Sequence, residues 1–230
     1  MKRCLKMLCM VLAACGTSEG EGMLRVYWEI GANRCEDVPD LKSVRVRVLD
    51  GDVDEVTPVT APCLQGASSR GLEVKGVPAG RHDVLVEGIG PEGKPWYEAW
   101  AKGVTVKSDQ ETTVNVNLVL KPASIHVMWH FDNGKLCPAN QVETMEIGVF
   151  DAVTNAQLFI QKDPKQPVLC KDGEVKVEGI DANREVWLKL FGIGADGKRK
   201  YWGRQKLQTI PGEVHEADVT LKPCTVSDCG

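Results

Sequence analysis

Several signals are missing from this 230-residue chain, and each absence removes a class of function. Lys and Arg number 28 against 32 Asp and Glu, a formal net charge of −4, so the broad cationic surface of a nucleic-acid binder is excluded. The longest N-terminal apolar run, "LCMVLAA", is too short to span a bilayer. None of the nine cysteines forms a C-x-x-C pair and the four histidines lie away from them, which argues against a zinc site. No Ser, His and Asp set, paired catalytic carboxylates or activated cysteine can be singled out, so the chain reads as a non-enzyme. No cofactor and no metal is expected.

What is present begins at the N-terminus. Lys2, Arg3 and Lys6 precede the apolar run, which ends in Leu12, Ala13, Ala14 and Cys15, the form of a secretory signal with small residues at its cut. That tetrapeptide resembles the lipobox of bacterial lipoproteins. The resemblance implies a signal peptide over 1–14, a diacylglyceryl group on Cys15 and a lipidated tether over 15–23. Gly16 follows where Asp would imply inner-membrane retention, so the implied address is the outer membrane of the cell envelope, on its periplasmic or surface face. The partner so implied is the membrane, through acyl chains worth about 0.8 kcal/mol per buried methylene. Removing the first 14 residues would leave 216 of the 230 and, with three cations gone, shift the charge from −4 to −7.

Cys4 and Cys9 leave with the signal and Cys15 carries lipid, so six of nine cysteines remain: Cys35, Cys63, Cys137, Cys170, Cys224 and Cys229. An even count in an oxidising compartment suggests disulfides. Internal similarity narrows the pairing, because Leu24–Pro122 and Ile125–Pro223 read as two copies of one unit. "LRVYWEI" matches "IHVMWHF", Cys35 matches Cys137, Cys63 matches Cys170, and both copies close on "LKP". One bridge per copy follows, Cys35 to Cys63 and Cys137 to Cys170. Cys224 and Cys229 lie outside the repeat, in a tail over 224–230, and are expected to pair with each other, with an intermolecular bridge as the alternative.

Within each copy the apolar period is two. Leu24, Val26, Trp28 and Ile30 alternate with polar or aromatic neighbours, as do Ile125, Val127, Trp129 and Phe131. "VRVRV", "VWLKL" and "VNVNLVL" repeat the pattern, and Asp50-Gly51, Asn133-Gly134 and Asp172-Gly173 mark turns between runs. About seven short strands per copy, with no helical period, predict an all-β fold of two tandem Ig-like or transthyretin-like sandwich domains, 24–122 and 123–223, from an internal duplication.

Four motif matches fail on their context. "GIGPEGK" at 88–94 and "GIGADGK" at 192–198 fit the dinucleotide spacing G-x-G-x-x-G, but strand-like "KPWYEAW" and "KRKYWGR" follow where a helix N-terminus would be needed. The glycines are expected in hairpins instead. "GTSEG" at 16–20 lies in the tether and cannot form a nucleophile elbow. His126 and His130 would stand about 13 Å apart on a strand, too far to share an ion. "DGDVDE" at 50–55 lacks the Gly and Glu of a calcium loop and reads as an acidic turn.

The stretch from "VPAGRHDVLVEGIGPEGK" to "TTVNVNL" resembles carboxypeptidase-regulatory-like and transthyretin-like sandwich modules of bacterial surface lipoproteins. The resemblance covers most of 71–120 and, more weakly, 174–221, where Asp181-Ala182-Asn183 departs from the proline and glycine of the first turn. It implies a structural or binding unit, with an envelope protein or a glycan as partner, and carries over no catalytic residue. The functional expectation is a lipid-anchored, non-catalytic binding or scaffolding module. The alternatives are a carbohydrate-binding accessory protein and a hydrolase whose site is assembled from loops. The outward face is the place for a site: with Tyr97 and Tyr201 inward, Trp96, Glu98 and Trp100 point outward in one copy, and Lys200, Trp202 and Arg204 in the other. Trp96 and Trp100, about 13 Å apart, would stack sugar rings or an aromatic-seeking partner. The competing reading is ordinary packing beneath a loop or the neighbouring domain.

Overall fold

The computed structural model describes residues 20–31, 35–38, 40–63, 70–161, 165–225 and 229. The fold is all-β. Up to Leu120 the strands are β1 (Glu21–Glu29), β2 (Ser43–Asp50), β3 (Val53–Asp54), β4 (Val59–Pro62), β5 (Leu72–Pro78), β6 (Gly80–Ile89), β7 (Pro95–Val106), β8 (Glu111–Asn117) and β9 (Val119–Leu120). Beyond it come β10 (Ala123–Phe131), β11 (Thr144–Asp151), β12 (Gln157–Gln161), β13 (Val168–Leu169), β14 (Glu174–Ile180), β15 (Glu185–Ile193), β16 (Arg199–Gln208) and β17 (Val214–Pro223). Short 3-10 turns at 35–37, 91–93, 137–140 and 170–172 complete the elements.

Alternation in the sequence becomes alternation in burial. On β1, Leu24, Val26 and Trp28 are buried while Arg25 and Tyr27 stay partly exposed, and β10 repeats this with Ile125, Val127 and Trp129. Apolar side chains on every second residue give each strand one face that favours leaving water, which selects an extended chain with that face covered. The buried side chains gather in two clusters, one running from Leu24 to Leu118 and the other from Ile125 to Leu221. Every strand pair likewise lies within one half of the chain or the other.

The two halves share a pairing scheme. β1 lies between β5, antiparallel, and β8, parallel, with Leu24 opposite Val74 and Thr112. β10 lies between β14, antiparallel, and β17, parallel, with Ile125 opposite Val177 and His215. In the facing layer β2 pairs with β6 and β6 with β7, as β11 pairs with β15 and β15 with β16. The halves differ where the layers join. β17 runs unbroken from β10 to the edge of β16, where Tyr201 pairs with Pro223 and Trp202 with Lys222, so all strands of that half form one sheet. In the first half the same path is interrupted at buried Leu118: β8 pairs with β1 and β9 with β7. Gly203 makes the crossing possible, because a Cβ there would meet the Thr220 carbonyl oxygen at 2.6 Å.

Disulfides join Cys35 to Cys63, Cys137 to Cys170, and Cys224 to Cys229. The first two tie the turn after the opening strand to the segment before the next antiparallel partner of that strand. With sequence separations of 28 and 33, each would restrict the unfolded chain by about 3–4 kcal/mol in the chain-entropy picture. The halves also touch each other: the Lys94 ammonium pairs with the Glu213 carboxylate, and the Gly212 N–H donates to the Pro122 carbonyl.

Candidate functional site

The glycines of the two G-x-G-x-x-G matches sit at the β6–β7 and β15–β16 hairpins, and each glycine has a steric reason. Gly88 and Gly192 stand opposite Tyr97 and Tyr201, and a Cβ on Gly88 would lie 2.9 Å from the Tyr97 Cβ. Gly90 carries the Trp96 indole at 2.6 Å from where its Cβ would be, and Gly194 carries the Lys200 side chain at 2.8 Å. Gly93 and Gly197 take φ of +74° and +72°, open to glycine at little cost. A strand follows each hairpin, so no helix terminus is available to hold a phosphate.

Both hairpins carry the same irregularity. The register steps from Gly88–Tyr97 to Ile89–Pro95, leaving Trp96 as the extra residue, and from Gly192–Tyr201 to Ile193–Arg199, leaving Lys200. A bulge of this kind re-aims a side chain, here across the facing glycine. Tyr97 and Tyr201 pack against their respective cores. Burial, with Asp40 nearby, pushes the Tyr97 hydroxyl above its ordinary pKa. Tyr201 donates from its hydroxyl to Asn140 Oδ1 at 2.9 Å and meets Phe131 edge-on at 4.8 Å.

Each residue of the first outward face has a definite setting. Trp96 lies over Gly90, half-buried, and its carbonyl accepts from the Lys121 N–H at 2.8 Å. The Glu98 carboxylate is engaged by Lys121 Nζ at 3.2 Å. Trp100 is 43% exposed and has Lys102 Nζ 3.7 Å above its ring. Val119, on the edge strand opposite Glu98, is also exposed. Ion pairs fill the rest of this face, Arg45 with buried Glu87 at 2.7 Å and Arg47 with Asp54 at 2.9 Å. Lys102 also donates to Asp83 and holds that carboxylate below its usual range.

The second half presents a different outward face. β11, β15 and β16 display Phe150, Trp187, Phe191 and Trp202 among cations. Lys189 Nζ lies 4.3 Å from the Phe150 ring, and the Arg199 guanidinium 3.9 Å from Phe191. Arg204 lies 4.8 Å from Trp187 and 5.8 Å from Trp202. Trp202 and Arg204 were legible from one strand; Lys200, read as their outward neighbour, is the bulge residue, lying across Gly194 with its ammonium on Asp196, and Arg199 takes its place over Phe191. Phe150, Trp187, Lys189 and Phe191 were not legible, since only the register of β11 and β15 against β16 brings them alongside. Clefts of about 690 Å³ and 560 Å³ flank this hairpin, one between Gln141, Leu169 and Lys200, the other between Glu146, Gln161 and Arg199.

His126 and His130 both stand on the outer face of β10 with separate partners. His126 contacts Glu216 at 2.8 Å and Glu174 at 3.2 Å, and the Glu216 hydrogen bond raises its pKa. His130 contacts Asp218 at 2.9 Å and Thr220 at 2.8 Å. Asp54 of the acidic turn is occupied by Arg47. Among the described residues no group of three or more His, Cys, Asp or Glu is arranged to hold a metal. Cys15 and its lipobox lie outside the described residues.

No family model and no curated protein matches this chain. Solved structures do. The Bacillus anthracis TIE protein is 14% identical with a TM-score of 0.38; the match covers 89% of this chain, which spans about a third of that one, 34%. An adhesin candidate from Bacteroides ovatus is 14% identical over 90% of this chain and 95% of its own, with a TM-score of 0.32. The fimbrial anchor protein Mfa2 from Porphyromonas gingivalis is 11% identical over 79% of this chain and 80% of its own, with a TM-score of 0.34. At such scores these likenesses assign nothing to this chain.

Proposed function

We propose that this chain is a lipid-anchored, non-catalytic binding or scaffolding module of the outer membrane, built from two tandem sandwich repeats, 24–122 and 123–223, that descend from one duplicated unit. The observation that carries the reading is the contrast between matched interiors and unmatched exteriors. β1 and β10 keep the same neighbours and the same tryptophan, and both hairpins keep the same bulge. On the outer side of the sheet, residues at equivalent strand positions are rewritten: Leu85, itself covered, and exposed Trp100 in one half, Lys189 and Arg204 in the other. Packing constrains the interior alone, so the surface is where two copies diverge in what they contact.

Two experiments test the parts separately. Cys15→Ser releases the protein from membrane fractions or leaves it as precursor; unchanged processing and fractionation would rule out the anchor. For the first outward face, the double variant Trp96→Ala, Trp100→Ala melts within a few degrees of the parent but loses the envelope partner captured by cross-linking in cells. A large drop in thermal midpoint would assign both indoles to packing, and unchanged binding would remove this face from the function.

A further inference from the structure

We propose that the outward face of β11, β15 and β16 binds an acidic sugar, with Lys189 and Arg204 holding the ring-borne carboxylate and Trp187 and Trp202 receiving the sugar ring. The first observation is a juxtaposition that a folded sheet would otherwise avoid. Lys189 and Arg204 are directly opposite each other in the β15–β16 register, where like charges stand close and repel. The equivalent pair in the first half is Leu85 opposite Trp100, which repels nothing.

The second observation is which cations are already neutralised. Arg199 pairs with Glu146 at 2.7 Å, Lys206 with Glu185 at 2.8 Å and Lys200 with Asp196 at 2.8 Å. Among the described residues Lys189 reaches the neutral Asn155 amide oxygen, at 2.9 Å, and the Phe150 ring, and no carboxylate. Arg204 is exposed, and among the described residues its contacts are the two indole rings alone. Two adjacent cations with no carboxylate partner among the described residues, on a chain of net charge −4, mark a local site for an anion rather than a general polyanion surface.

Shape then selects the class of anion. A sheet face is shallow and cannot enclose a ligand, but it offers flat half-buried indoles with a guanidinium over them whose N–H groups, among the described residues, meet no carboxylate and can form a fork. A pyranose bearing a carboxylate presents C–H groups to a ring and two oxygens to a fork. Trp202 stands opposite Phe191, and Arg199 above Phe191 also lines the 560 Å³ cleft, so the track continues past a single sugar. A second copy of this chain fits less well, because the carboxylates on its acidic β10 and β17 face are engaged by His126 and His130.

The test titrates the full chain, purified in detergent, with oligomers of galacturonate, glucuronate and mannuronate and with their methyl esters, by calorimetry. At least one free acid is expected to bind and its ester to bind at least about tenfold more weakly, since the charge-assisted fork is lost. Arg204→Gln, at an exposed position that tolerates change, weakens binding at least about tenfold, and Arg204→Lys falls between because the charge stays and the fork does not. Trp202→Ala weakens it comparably with the thermal midpoint retained. The proposal is overturned if no acid binds, if esters bind as well as acids, or if Arg204→Gln binds as the parent does. It is also overturned if a single-stranded oligonucleotide binds equally tightly with the same dependence on Arg204, or if Arg204 instead governs self-association. The site shares no residue with the readings that rest on Cys15 and Trp100, so each stands or falls on its own experiment.

Discussion

Trp28 and Trp129 occupy the same place in the two halves, fourth in the inward row of the opening strand, yet their indole N–H groups have different fates. Trp129 donates to the Cys170 carbonyl at 3.1 Å, across to the disulfide-bonded turn. Trp28 is 2% exposed, and its N–H meets no acceptor among the described residues. Among the described residues the first-half ring therefore only packs, while the second-half ring also ties down a loop. The same scaffold can hold an aromatic ring whose N–H is paired or, among the described residues, unpaired; an N–H left unpaired in solution would carry an uncompensated desolvation penalty.

Truncation gives the strongest measure of that comparison. Trp28→Ala and Trp129→Ala are each expected to cost about 3–5 kcal/mol in chemical unfolding, since both rings lie in closed cores. A loss below about 1 kcal/mol for either would show that its core collapses around the gap. Replacement by Phe sharpens the contrast. Trp129→Phe deprives Cys170 of a donor, while Trp28→Phe removes an unsatisfied one, so the first should cost about 1–2 kcal/mol more than the second. Equal costs would mean that the Trp28 N–H is satisfied in solution.

The hairpin glycines provide a smaller difference. A Cβ on Gly88 would meet Leu41 at 2.8 Å and Tyr97 at 2.9 Å, whereas on Gly192 the nearest contact is 3.0 Å, to the tip of Val142. Gly88→Ala should cost about 1–3 kcal/mol by overpacking and Gly192→Ala visibly less; the reverse order in thermal melting would contradict the geometry.

The smallest effect is a pH dependence confined to one half. Arg25 and His126 occupy equivalent positions, each between two glutamates: Glu73 at 2.7 Å and Glu111 at 2.9 Å for Arg25, Glu216 and Glu174 for His126. Arg25 is charged throughout the accessible range, whereas the His126 pKa is raised chiefly by its Glu216 hydrogen bond. A raised histidine contributes stability that is complete below its unfolded value, about 6.5, and that fades as pH climbs through the folded value. The thermal midpoint should therefore slip slightly on passing from about pH 6 to about pH 8. His126→Arg, which copies the first half, should remove that part of the slope; an unchanged profile would show that the pair contributes nothing measurable at the surface.

Much of this was legible in the chain and some of it was not. The inward rows of β1 and β10 could be read directly, because Leu24, Val26 and Trp28 or Ile125, Val127 and Trp129 recur at a spacing that only a strand can put on one side. The hairpin glycines were legible because what followed them was strand-like. The parallel partnership of β1 with β8 was not, since alternation states which side is buried and nothing about which neighbour covers the edge. For the same reason Lys189 and Arg204 could not be seen as neighbours: 15 positions apart in sequence, they meet only through the β15–β16 register. Trp100 was placed outward correctly by parity, while the bulge at Trp96 shifts parity by one residue, a change no periodicity records.

The parallel pairing of first and last strands has a consequence for the order of folding. β1 acquires its second neighbour only when residues 111–117 exist, and β10 waits in the same way for 214–221. As the chain emerges N-terminus first, the opening strand of each half must remain with one edge open until the rest of that half has followed, a long-range closure that slows folding and leaves the edge vulnerable. Because the first half closes about a hundred residues earlier, a chain cut near residue 122 already holds everything needed for its first closure, whereas one cut near residue 210 carries a β10 that cannot be sealed.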